Sequence, residues 1–116
     1  MEPAHVLLVE DSPGDALLTQ QVLASCSVPI RLHIAQDGEQ ALQVLRDPGY
    51  KPNVIILDLD IPKISGYGVL ALYPLCHSMK TTPVVVFSAS ENEADVIRAI
   101  LLGACEYMHK PTDIDA

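Results

Sequence analysis

A chain of 116 residues suffices for one compact domain, and with 49% of them apolar it has the side chains to build a core. Fifteen Asp and Glu against seven Lys and Arg give a net charge of −8, which argues against nucleic acid, since a phosphate backbone must be met by a basic face. No apolar run approaches the ~18 residues of a membrane span. Met1-Glu2-Pro3-Ala4-His5 lacks the basic start and apolar stretch of a signal peptide, and Cys26, Cys76 and Cys105, odd in number, read as reduced thiols; a cytoplasmic protein is expected.

In chain order, His5-Val6-Leu7-Leu8-Val9 is a dense apolar run that ends in Glu10-Asp11 and predicts the first strand. Ser12-Pro13-Gly14-Asp15 then offers an N-cap, a proline at the first helical position and an acid at the third. The helix it opens should bury Leu18, Val22, Leu23 and Cys26 along one face. Ile30 to Ala35 alternates as a weaker second strand, and Asp37-Gly38-Glu39 opens a second helix with Ala41, Leu42 and Leu45 turned inward. Val54-Ile55-Ile56-Leu57 is the third strand and ends at Asp58. Gly66 to Tyr73 is the third helix, which Pro74 should end or kink. Pro83-Val84-Val85-Val86-Phe87 runs into Ser88 as the fourth strand. Ser90-Glu91-Asn92-Glu93 reads as a capping box for a fourth helix whose stripe, Ile97, Ile100 and Leu101, stops at Gly103. Tyr107-Met108-His109 is a short fifth strand closing at Lys110-Pro111. Short, β-branched and apolar on both faces, such runs suit buried strands of a parallel sheet, and their alternation with helices predicts a doubly wound α/β fold. Thr112-Asp113-Ile114-Asp115-Ala116 looks like the opening of a fifth helix that does not arrive, which would leave half of one sheet face uncovered beside the first helix.

The strands end in reactive groups: Glu10-Asp11, Asp58, Ser88 and Lys110. In open α/β sheets, sites form outside the carboxyl ends of the strands, and the common five-strand order is 2-1-3-4-5. That order sets Asp58 between the acidic pair and Ser88, each a strand spacing of ~4.8 Å away, with Lys110 ~10 Å off and able to reach in. Three crowded carboxylates demand a counter-charge. A hard divalent ion, Mg²⁺, takes such oxygens, while a lysine and a hydroxyl aimed at the same spot would hold a phosphoryl group. Asp58 is then placed as the nucleophile that forms an aspartyl phosphate.

Glu10-Asp11, Leu57-Asp58-Leu59-Asp60-Ile61-Pro62 followed by Gly66, Ser88-Ala89, and Lys110-Pro111 together resemble the receiver domain of two-component response regulators, from Val6 to Pro111. Each motif is short; all four, in order and at strand ends, carry the resemblance. It implies a flavodoxin-like fold over residues 1–116, a receiver domain C-terminally incomplete for want of its fifth helix. It implies that Asp58 accepts phosphate from a sensor histidine kinase or phosphotransfer protein. Mg²⁺ would be bound by Asp11, Asp58 and the backbone carbonyl of Asp60, with Glu10 reaching through water. Ser88 and Lys110 would bind the phosphoryl oxygens, the Lys110-Pro111 bond would be cis, and Tyr107 would turn inward as Ser88 shifts. That movement re-shapes a face that contacts a downstream protein, with a homodimer one form such contact can take. Self-phosphorylation from small donors and slow self-hydrolysis are side activities, not those of a dedicated enzyme. The Glu-Asp-Ser-Pro-Gly-Asp opening is similar to stand-alone regulators paired with bacterial phytochrome kinases.

Plainer readings stand beside these. Ser88 can simply cap the turn after its strand, and Tyr107 can be a half-buried aromatic on an edge strand. A haloacid-dehalogenase-type phosphatase would also use an Asp58-Leu59-Asp60 pair, but on the first strand of a larger fold. A pseudo-receiver, binding partners without phosphorylation, keeps the fold and usually loses the acceptor, an acid or the lysine.

Overall fold

The computed structural model describes residues 2–75, 82–90 and 92–110. Five parallel strands stand in the order β2-β1-β3-β4-β5, as expected: β1 is Ala4–Val9, β2 Ile30–Ala35, β3 Val54–Leu57, β4 Val84–Ser88 and β5 Glu106–His109. The crossovers are α1 (Pro13–Ala24), α2 (Gly38–Arg46), α3 (Gly66–Leu72) and α4 (Glu93–Leu101). Pro74 falls in a 3-10 turn, Tyr73–Leu75, that finishes α3. The expected cis bond at Lys110-Pro111 and the fifth-helix opening at 112–116 lie outside the described residues. Among those residues, no helix is long and apolar enough to cross a membrane.

Period-two alternation sorts the strand side chains between two unequal faces. Leu7, Val9, Ile55, Leu57, Val84 and Val86 point to the face covered by α2, α3 and α4 and are essentially sealed from solvent, with Ala41, Leu42 and Leu45 of α2 packed on them as predicted. On the other face, α1 is the only helix among the described residues. Beside it, Val54, Ile56, Val85, Phe87 and Met108 line an apolar groove of about 350 Å³. This is the thinly covered face foreseen from the sequence.

The apolar faces of two helices differ from expectation. α1 buries Ala16 and Thr19, whereas Leu18 and Leu23 are half-buried, Cys26 is exposed and Val22 is 60% exposed at the groove. α4 seats through the small Ala99, so Ile97, Ile100 and Leu101 remain 55%, 46% and 81% exposed. In both, small side chains permit close approach to the sheet, and the larger aliphatic ones are carried outward. The start of α4 also moves. Asn92 rather than Ser90 is its N-cap, the Asn92 side chain accepting from Ala94 N–H at 2.9 Å. The Ser90 hydroxyl is engaged elsewhere, donating to Asp95 at 2.6 Å.

The helix starts expected at Ser12 and Asp37 hold, Ser12 accepting from Asp15 N–H and Asp37 from Gln40 N–H, and α3 has a further cap in Ser65, which accepts from Gly68 N–H. Gly66 follows the last of these because nothing larger fits. A Cβ there would lie 2.5 Å from Leu59 Cα and 2.6 Å from the Asp58 carbonyl oxygen. The glycine thus lets α3 lie directly against the loop that carries Asp58.

Candidate functional site

Parallel strands place all their carboxyl ends on one rim, and the ladder runs one residue past each end. Glu10 N–H donates to Ala35 O at 2.9 Å, Asp58 N–H to Val9 O at 3.0 Å and Lys110 N–H to Ser88 O at 2.7 Å. The backbone therefore holds each reactive residue at the sheet's edge before any side chain interaction is counted.

Lys110 organises the centre. Its ammonium donates to Glu10 Oε1 at 2.6 Å, Asp15 Oδ2 at 2.9 Å and Asp58 Oδ2 at 3.0 Å, which uses all three of its protons. Glu10, Asp58 and Lys110 are buried; charges so placed persist only when paired. Burial works against the Lys110 cation, but the carboxylate hydrogen bonds outweigh it and hold its pKa above the ordinary lysine value. Burial also pushes Glu10 from 4.5 up to about 7; its hydrogen bond to Lys110 opposes this and Asp58 reinforces it.

The rise at Glu10 has a consequence for stability. In the unfolded chain this carboxyl ionises near 4.5, in the folded one only near 7, so its contribution is complete below pH 4.5 and is lost as pH climbs to 7. At ~1.4 kcal/mol per unit the loss is at most about 3.5 kcal/mol. Urea unfolding of the wild type and Glu10→Gln, without divalent metal, should show the wild type losing stability relative to the variant between pH 5 and 8. A difference independent of pH would show that Glu10 titrates normally.

Glu10, Asp11 and Asp58 each offer an oxygen, and these lie within 4.8 Å of one another. Such a set suits a hard divalent cation. Asp60 is exposed on the following loop, and its N–H donates to Asp58 Oδ1 at 3.1 Å. Ser88 is buried at the end of β4, its Oγ accepting from Ser90 N–H at 3.2 Å, the turn cap foreseen as its plainer role. Tyr107 is half-buried on β5, and its hydroxyl donates to the Ser90 carbonyl at 3.0 Å.

Two residues with a place here were not recognised in the sequence. Asp15 was read only as a first-turn acid, although the third residue of a helix that starts on the rim faces back over it. Ser90 joins Ser88 to Tyr107 through its backbone, and to α4 and α3 through Asp95, which also accepts from the Tyr67 hydroxyl at 2.8 Å. No local pattern announces that role.

Comparison with known proteins agrees with this fold. A family model described as the response regulator receiver domain matches residues 6–116. Response regulator Rcp1 of Synechocystis sp. is 38% identical over 117 residues, which is 97% of this chain and 80% of that protein. Its Mn²⁺-bound structure superposes with a TM-score of 0.89, covering 97% of this chain and 85% of that one. The phosphorylated cyanobacterial phytochrome response regulator RcpA superposes with a TM-score of 0.90 at 34% identity, covering 98% and 85%. A protein-glutamate methylesterase of Myxococcus xanthus is 36% identical over 91% of this chain, but that likeness spans 29% of the methylesterase.

Proposed function

Because this chain belongs to the response regulator receiver family of two-component signalling, we propose that it is a phosphorylation switch whose acceptor is Asp58. The observation that carries this reading is the Lys110 ammonium, which reaches across from β5 to Asp58 Oδ2 at 3.0 Å beside the oxygens of Glu10 and Asp11. An Asp58 oxygen would form the bond to phosphorus while the phosphorus–nitrogen bond of a phosphohistidine donor breaks, the donor being a sensor histidine kinase or phosphotransfer protein. Asp11, Asp58 and the Asp60 carbonyl, with Glu10 through water, would hold Mg²⁺, which when bound neutralises charge on the transferring group. The Mn²⁺ bound to Rcp1 and the phosphorylation of RcpA support both parts by likeness.

Lys110 would exchange Asp58 Oδ2 for a phosphoryl oxygen. Ser88 accepts from Ser90 N–H and keeps its own proton to donate. A shift of the Ser88 Oγ toward the phosphoryl group would draw it away from Ser90 N–H and so loosen Ser90, and with it the carbonyl that holds Tyr107. The movement would thus pass to the face of β4, α4 and β5, where a downstream protein or a second copy would dock and where α4 leaves Ile97, Ile100 and Leu101 exposed. The domain spans residues 1–116 in this reading and acts in the cytoplasm as a switch rather than a dedicated enzyme. The phosphatase alternative falls with the family assignment, and the positions a pseudo-receiver usually loses are all present.

Intact-mass spectrometry after incubation with acetyl phosphate provides the test. A gain of one phosphoryl group that requires Mg²⁺ is expected. No gain on a folded chain would overturn the reading in favour of a phosphorylation-independent binding module.

A further inference from the structure

Asp15 stands apart from the other carboxylates of the site. The oxygens gathered for a cation belong to Glu10, Asp11 and Asp58, yet Asp15 Oδ2 accepts from Lys110 at 2.9 Å. Its side chain is 33% exposed, whereas those of Glu10 and Asp58 are 1% and 8% exposed. Its backbone is held independently of the lysine. Ser12 Oγ accepts from Asp15 N–H at 3.3 Å, and the Asp15 carbonyl accepts from the buried Thr19 hydroxyl at 3.0 Å. The first turn of α1 is therefore set by its own cap and by packing on the sheet, and it presents the carboxylate to the rim.

The partners of Lys110 would fare differently when a phosphoryl group arrives. An Asp58 oxygen becomes part of the acyl phosphate, and Glu10 is drawn toward the cation. Asp15 belongs to neither the acceptor nor the cation set, so its hydrogen bond can persist throughout. We propose that Asp15 is a positioning residue that anchors the Lys110 ammonium at the mouth of the site, so that the lysine pivots about this contact onto the incoming phosphoryl group. The pivot rests on the preceding functional reading; the anchor does not. An acid in the first turn also complements the helix dipole, a role that depends on its charge and not on the lysine. An asparagine separates the two, because its carbonyl oxygen still accepts from the ammonium while the charge is gone.

Acetylation of lysines on the metal-free, unphosphorylated chain, read by peptide mass spectrometry, tests the anchor. Relative to the exposed Lys63, Lys110 labelling should rise severalfold in Asp15→Ala, with Asp15→Ser as a second short variant, and stay near wild type in Asp15→Asn. Unchanged labelling in the short variants would overturn the anchor whether or not the chain takes up phosphate. In the phosphorylation assay, the short variants should lose about tenfold in maximal rate, as for a lost hydrogen bond to a charged group. Mg²⁺ affinity and the half-saturating acetyl phosphate concentration should hold. Equal loss in Asp15→Asn, or a loss confined to Mg²⁺ affinity, would overturn the positioning role. A wild type that takes up no phosphoryl group while Lys110 labelling still responds would sink the functional reading and the pivot but uphold the anchor.

Discussion

Asp58→Asn is expected to reduce Mg²⁺-dependent phosphoryl uptake from acetyl phosphate to background while leaving the chain folded. The amide has nearly the shape of the carboxylate, but its oxygen is too weak a nucleophile to attack phosphorus. The surroundings can absorb the change. The Asp60 N–H that meets Asp58 Oδ1 at 3.1 Å finds the same oxygen on an asparagine; the amide NH2 then replaces the oxygen that accepted from Lys110, and the ammonium turns from it while keeping Glu10 and Asp15. Removing one of the crowded carboxylates also relieves Glu10, whose raised pKa owes part of its rise to Asp58. Thermal unfolding without metal should therefore occur at or above the wild-type temperature. Uptake that persists at wild-type level in the variant would place the acceptor at another residue.

Lys110→Met acts in the opposite sense. Methionine fills a similar volume, but it leaves Glu10 and Asp58 buried without the cation that each touches. Breaking a buried pair by removing one partner costs about 3–5 kcal/mol, because the remaining charge is uncompensated. Urea unfolding in metal-free buffer should show a loss of that order. The loss should shrink as pH falls, since Glu10 can then take up a proton. Mg²⁺ should also restore part of it, as any ligand held only by the folded state does, by about 2.7 kcal/mol at 100 times its dissociation constant. A variant as stable as the wild type at pH 8 without metal would mean that the carboxylates do not depend on Lys110. Phosphoryl uptake should fall as well, and adding Mg²⁺ should not recover it, because the metal restores charge balance but not the donor to the phosphoryl oxygen.

Much of this site was legible in the amino acids themselves. Glu10, Asp11, Asp58, Ser88 and Lys110 each follow an apolar run short enough to be only a strand, and parallel strands deliver such residues to one rim. The helix starts at Ser12 and Asp37 were equally plain, because a cap is a contact between residues two or three positions apart. At Ser90 the same local signal misled. It competes with Asn92 for the start of α4, and the outcome turns on Asp95, which takes the Ser90 hydroxyl at 2.6 Å.

The sequence by itself determined the order and kind of the elements, the topology class and which side chains could carry the chemistry, because these follow from periodicity and from contacts along a few residues of chain. Only the tertiary structure decided which helix residues reach the sheet and which carboxylates reach the lysine. α4 settles on Ala99 and turns its aliphatic stripe outward, and Asp15 meets Lys110 across 95 positions of sequence. The seating depth of a helix and the aim of a long side chain are set by close packing against partners distant in sequence, and no local pattern encodes that fit.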